Sequence, residues 1–518
     1  MLLIYTILYF LSMMFYYLNC GVIASIIMIL LAIFLCVVET MSCKRIINIR
    51  GLFALGFIGG FGISLLKLSK LSSDYSVITF LAVFIAYFSL YFGAFLEDKR
   101  KINNELKARR MKLERRDVLF ISQEILLIVM IVVTFLSFVL EVAVLKFIPL
   151  FTIDTPHAYS IFHIFMVHYI TTFYAFIPAF AISNYLVEPN RKQSKIFVII
   201  SFIYMIIMSL LLVSRSKLFL SVVLSLFIII INKTTELKRP KFNRKNILKF
   251  AIAIFVFLIL YLIITINRAH DVDYLNSIFE MKNDELPIFI SQPYMYIAHN
   301  YENLNYMINN IFRWTFGRRI LYPFFTLTMV KKFFPIVVDS PYYIIKEELS
   351  TVTIIYDFYY DFGLVGVAVF CFLIGYIGKK LENITYRMMS GEIIYKNNYI
   401  TILFSLYSYF MLSSFFQAYF SLTDTWVYIT ILLLFTLFFT MTRVSTKKNP
   451  IDNKSISSNK KMGSKSKDYE EIADNIDEEM DESIEIEDLD DNEEDNVIYS
   501  NFDENDDEKD YNINDYLE

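Results

Sequence analysis

The feature that most constrains this chain is a succession of uncharged apolar blocks, each close to the ~20 residues that span a hydrocarbon core as a helix. They cover residues 2–18, 21–38, 51–66, 76–96, 118–140 and 158–183, then 196–213, 217–231, 247–266, 354–378, 398–416 and 422–441. Backbone polar groups find no water in lipid, so segments this long and apolar are expected to be helices. The expectation is an all-α, polytopic integral membrane protein with about twelve transmembrane helices. Amount agrees with pattern: hydrophobic residues are 56% of the 518 and aromatics 17%, more apolar surface than a soluble domain can hide. The first block has neither a basic flank nor a small-residue cleavage site, which points to a retained helix.

The net charge of −4 averages two unlike regions. Residues 468–518 carry 25 acidic side chains against one basic residue, Lys509, whereas the rest of the chain carries 47 basic and 27 acidic. From Thr446 onward apolar residues are too few to offset the entropy of ordering. The chain therefore divides into a membrane domain, 1–445, and a disordered acidic tail, 446–518. Basic residues crowd four short loops: 97–117, 232–249, the Arg191, Lys192, Lys195 loop, and the Lys379, Lys380, Arg387 loop. If the blocks alternate, all four loops share one side, and the cost of translocating basic loops makes that side cytoplasmic. This places both termini in the cytoplasm of a bacterial inner-membrane protein and leaves a large external loop, about 267–353. Its apolar stretch 320–335 contains Pro323 and ends in Lys331-Lys332, a pattern suited to an interfacial helix.

Arginines on the external side run against the charge rule and are the informative anomaly: Arg215, Arg268, Arg313, Arg318 and Arg319. Arg215 lies in the tight Ser214-Arg215-Ser216-Lys217 hairpin, where a charge must snorkel or find an anion. A guanidinium forks onto phosphate oxygens, so such a cluster suits a lipid pyrophosphate held at the interface. Ordinary phospholipid headgroups would satisfy the same groups. Of the five histidines, His270 and His299 in the external segment could act as a general base near neutral pH. Asp271, Asp273, Glu347 and Glu348 compete for that role. His163 and His168, five residues apart, would stand roughly 140° apart on one helix and suit buried structural roles. No metal-binding spacing occurs, the four cysteines suit packing, and no cofactor or nucleic-acid partner is expected.

Late in the chain, Glu348-Leu349-Ser350-Thr351-Val352-Thr353 precedes Tyr356-Asp357-Phe358-Tyr359-Tyr360-Asp361-Phe362-Gly363-Leu364-Val365-Gly366. Read from the residues alone, Gly363 and Gly366 would let helices approach closely, and Asp361 could cap free amides. The run resembles the O-antigen polymerases, the Wzy-type oligosaccharide repeat-unit polymerases, through Tyr359, Asp361, Phe362, Gly363 and Gly366. The helix layout, the large late loop and the Ser214-Arg215 hairpin resemble that family too. The resemblance implies a GT-C-like membrane glycosyltransferase that polymerises repeat units carried on undecaprenyl pyrophosphate. It implies pyrophosphate contacts from Arg215, Arg268, Arg313 and Arg318 and a base at His270 or His299. Partners would be lipid-linked oligosaccharide, membrane lipids and other polysaccharide-assembly proteins such as a chain-length regulator or flippase. An O-antigen ligase-like transferase, a flippase or transporter of lipid-linked sugars, and a non-catalytic scaffold remain alternatives.

Overall fold

The computed structural model describes residues 1–105, 120–152, 161–187, 192–235, 272–283, 285–333, 342–389 and 399–441. Every regular element among the described residues is helical, apart from one isolated bridge between Ser69 and Met281. The helices are α1 (Leu2–Tyr17), α2 (Gly21–Cys43), α3 (Ile49–Ser64, with a π segment at Ala54–Ile58), α4 (Val77–Glu105) and α5 (Phe120–Leu145). There follow α6 (Val167–Thr172), α7 (Ile177–Val187), α8 (Lys192–Leu211), α9 (Arg215–Thr235), α10 (Val272–Phe279), α11 (Ile288–Asn310) and α12 (Arg318–Leu327). The last four are α13 (Val330–Phe333), α14 (Tyr356–Met389), α15 (Tyr399–Leu412) and α16 (Thr423–Met441).

Six of these helices, α2, α4, α5, α8, α9 and α14, are long and apolar enough to cross a membrane. Their outward faces explain the composition. On α2 the exposed residues include Val22, Ile26, Leu30, Ile33 and Val37, and on α5 Ile128, Val132, Phe135, Val139 and Leu140. Apolar side chains on both the buried and the exposed face of a helix need lipid as the outer solvent. The expected block 247–266 and the acidic tail lie outside the described residues, as do His270, Arg268 and much of the two longest basic loops.

One expected block is corrected. Within the expected block 158–183, residues 162–166 are non-helical, Met166 has φ +67°, and a 3₁₀ turn at Phe173–Phe176 separates α6 from α7. Pro178 has no N–H to give to the carbonyl of residue 174, and its ring crowds that carbonyl, so the preceding turn tightens.

Helix α14 is the spine of the bundle and packs most extensively on α4. Small residues make that crossing close: a Cβ on Gly375 would lie 2.0 Å from the Leu90 carbonyl oxygen, and one on Gly93 2.1 Å from that of Phe372. Backbones in van der Waals contact are how helices associate where lipid removes the hydrophobic drive. At one end of α14, Lys379 bonds Glu382 at 2.7 Å, Arg45 bonds Glu382 at 2.9 Å, and Arg50 bridges Glu39 and Asp98 at 3.2 and 2.5 Å. The Tyr356–Gly366 run lies at the other end, about 30 Å away along the helix.

The segment expected as a long loop is itself folded. Helix α11 presents Glu302 to Lys67 Nζ at 2.6 Å and to the Ser73 N–H at 3.0 Å. The Asn305 carbonyl accepts from Thr79 at 2.7 Å, and the Asn303 amide donates to the Leu349 and Thr351 carbonyls at 2.9 Å each. These amide-rich residues clamp α11 between 67–79 and 345–351, with burial holding the Lys67 ammonium down at about 8 against its pairing with Glu302. The stretch 320–335 begins as α12, ten residues long and strongly amphipathic. At ~15 Å it is too short to cross a bilayer.

Candidate functional site

The run 356–366 builds a joint and is not among the residues lining the cavity beside α12. Helix α14 bends sharply at Gly363, whose φ +61° and ψ −148° belong to a region open essentially to glycine. Trp314 lies against it, close enough that a Cβ on Gly363 would meet the indole at 3.0 Å. The bend also swings the Phe358 carbonyl onto Gly366, where a Cβ would lie 2.2 Å away. The glycines therefore do not serve close approach of a neighbouring helix, as the sequence suggested. They let α14 fold against its own first turns and against Trp314. The Tyr359 ring meets Trp314 edge-on at 5.6 Å.

Asp361 does cap free amides, but those of a different helix. Its carboxylate is fully buried and accepts from the backbone N–H of Ile320 at 3.0 Å and of Arg319 at 3.3 Å, and from the Thr315 hydroxyl. These are first-turn amides of α12, so one carboxylate satisfies orphan donors and complements the positive helix end. Beside it, the Arg319 guanidinium pairs with Asp357 and stacks on Tyr360, Tyr342 and Tyr356 at 4.5, 4.7 and 5.8 Å. The Asp357 carboxylate raises the Arg319 pKa despite the opposing effect of burial, so the group stays charged.

Held this way, α12 contributes Tyr322 to a cavity of about 440 Å³. The rest of the lining comes from α6 and the residues before it, from α9, and from the chain entering α16: His163, His168, Tyr169, Thr172, Lys217, Gln417, Ser421, Leu422, Thr423, Asp424 and Tyr428. Phe324 of α12 packs on Trp426 of α16 with ring centroids 4.6 Å apart, which ties α12 to α16. Two side chains facing the space, His168 and Lys217, are held by carboxylates. His168 Nδ1 lies 3.0 Å from Oε1 of Glu141, a carboxylate fully buried on α5 that also accepts from the Ile164 N–H at 3.3 Å. Lys217 Nζ bonds Asp424 and the Tyr428 hydroxyl at 3.0 Å each, and Tyr428 in turn bonds Thr172 at 2.7 Å. A carboxylate on Nδ1 selects the tautomer whose Nε2 can take a proton, and it stabilises the imidazolium that results. A lysine held in place by Asp424 and Tyr428 offers the same space an ammonium donor for an anionic ligand, its charge shared with the Asp424 carboxylate.

Among the described residues, none of the expected site residues lines this cavity; His270 and Arg268 lie outside them. Arg215 is buried at the start of α9, and it is Lys217, two residues on and roughly 200° around the helix, that faces the space. Arg313 and Arg318 are exposed, and Arg319 is the member of that run which is largely covered, its side chain 10% exposed. Arg319 shares a helix face with Pro323, four residues on and buried in the structure. His163 and His168 are corrected too. They are not on one helix, so their rings meet at 5.0 Å instead of diverging, and both line the cavity.

His299 is 2% exposed on α11, and neither ring nitrogen has a hydrogen-bond partner among the described residues. Burial, with the Lys346 ammonium nearby, pushes its pKa from 6.5 down to about 4. An unfolded chain takes up this proton as pH falls through 6.5 while the folded one resists until about 4. Stability is therefore expected to fall by about 3 kcal/mol across that window and to level off below it. Thermal unfolding of detergent-solubilised protein from pH 7 to 4 should show this slope, and His299→Leu should flatten it.

Among the described residues, no three His, Cys, Asp or Glu side chains are grouped to hold a metal ion. No protein-family model, no curated protein and no solved structure matches this chain.

Proposed function

We propose that this chain is a membrane glycosyltransferase that joins lipid-linked oligosaccharide repeat units, a Wzy-type polymerase in the sense of the sequence resemblance. The observation that carries the reading is the cavity, in which a His168–Glu141 dyad and a pinned Lys217 share one space beside α12. His168 Nε2 takes the proton of an acceptor sugar hydroxyl, whose oxygen attacks the anomeric carbon of the donor glycan. The anomeric C–O bond to the diphosphate breaks, and the diphosphate leaves on its polyprenyl carrier with its growing charge facing Lys217. Tyr169 and Tyr322 offer ring faces to the sugars. In this reading the cavity end of the bundle faces away from the cytoplasm, as the basic loops require.

Deleting the gene and resolving surface glycans and lipid-linked intermediates by size tests the class. Loss of long chains with single units still reaching the outer face supports a polymerase. Long chains persisting on the carrier indicate a ligase, and units trapped inside indicate a flippase. Complementing the deletion with His168→Ala should lower polymer yield by roughly 10²-fold or more at equal expression. Lys217→Met should act in the same direction. Wild-type yield from His168→Ala would remove the chemistry from this cavity.

A further inference from the structure

The exposed run that sequence reasoning offered to the substrate has the build of a lipid seat. On α14 beyond the Gly363 bend, Val365, Val369, Leu373 and Ile377 are exposed at helical spacing and form an apolar stripe along one face, and Phe362, just before the bend, is exposed at its end. The upper end of that stripe touches the turn before α12: a Cβ on Gly317 would lie 3.3 Å from the Phe362 ring. That turn carries Phe312, 94% exposed, and Phe316, 71% exposed, with Trp314 partly exposed between them. Arg313 and Arg318 are interleaved with these rings, exposed, and in no ion pair with the described residues.

The turn is also preformed. The Phe316 N–H donates to the Asp361 carbonyl at 3.2 Å, the Thr315 hydroxyl reaches the Asp361 carboxylate, and Gly317 takes φ +87°. Large rings so exposed are costly in water but at home where acyl chains meet headgroups. Guanidinium groups at that level fork onto phosphate oxygens.

We propose that residues 312–318, set at the end of the α14 stripe, seat the phosphate headgroup of an anionic bilayer phospholipid, with the rings between its chains. Arg313 and Arg318 are in no ion pair with the described residues, and the nearby carboxylates of Asp361 and Asp357 are already taken by α12 amides and by Arg319, which commits the seat to a net-negative headgroup over a zwitterionic one. The inference does not depend on the glycosyltransferase reading.

Trp314 is itself the probe, since Trp426 is the only other tryptophan. Full-length W426F is placed in phosphatidylcholine nanodiscs containing a minor fraction of lipid with brominated chains, either phosphatidylglycerol or phosphatidylcholine. Brominated phosphatidylglycerol should quench Trp314 by about twofold or more over the brominated zwitterionic lipid, and R313Q/R318Q should abolish the difference. Equal quenching by both lipids, quenching by neither, or a preference that survives R313Q/R318Q would overturn the proposal. Relief of quenching by undecaprenyl diphosphate at amounts far below the phospholipid would assign the seat to the carrier and overturn it as well. Should W426F fail to fold, the wild type and R313Q/R318Q are compared with both tryptophans present, since the two changes lie at exposed positions.

Discussion

Gly363→Ala is expected to destabilise the protein by about 2–4 kcal/mol and to loosen α12 from its joint. The added methyl would force a backbone conformation that only glycine holds at low cost, and would drive into the Trp314 indole at 3.0 Å. Either α14 straightens or Trp314 leaves. Both outcomes disturb the turn at 315–317 that leads into α12, and through α12 they move Tyr322 out of the cavity wall. Gly59→Ala is the matched control, because its Cβ would meet Ala32 at an ordinary 3.6 Å and its backbone is right-handed helical at φ −62°. That change should be neutral or stabilising by up to about 1 kcal/mol. Thermal unfolding of both variants in one detergent measures the contrast. Equal behaviour would mean that the bend is not a feature of the folded protein.

Arg319→Ala should cost more, about 3–5 kcal/mol, because it leaves Asp357 buried without its cation and strips three tyrosine rings of the group they surround. Arg319→Lys should recover only part of this, since an ammonium keeps the charge but not the flat face that stacks on Tyr342 and Tyr360. The pair is best measured as a cycle. R319M/D357N removes both charges, and its loss should fall short of the sum of the single losses by about 1–3 kcal/mol. Additive losses would show that the two groups do not meet. Neighbouring Arg318, exposed one position earlier, should tolerate glutamine with little change in stability.

These two residues show why the site was harder to read than the helices. An apolar block announces a helix because each residue contributes independently and the bilayer admits few alternatives. Arg318 and Arg319 have the same chemistry and adjacent places, so composition gives no reason to separate them. They part because α12 is docked by Asp361, some forty residues later in the chain, and docking decides which face is buried. Arg215 and Lys217 divide in the same way at the start of α9. His163 and His168 were set apart on the assumption of one continuous helix. Pro178 was in view, but how far its disturbance would reach depends on what Glu141 offers to Ile164 and His168 from another helix.

By itself the sequence determined the helical class and the apolar blocks, because those follow from local composition. Only the tertiary structure decided what the 356–366 run does and where the polar chemistry gathers. It turned the run into a joint for α12 and brought His168, Glu141, Lys217 and Asp424 together from four separate stretches of chain. Contacts of that kind depend on the rotation of each helix about its axis. Rotation is set by packing against neighbours, which no single segment encodes.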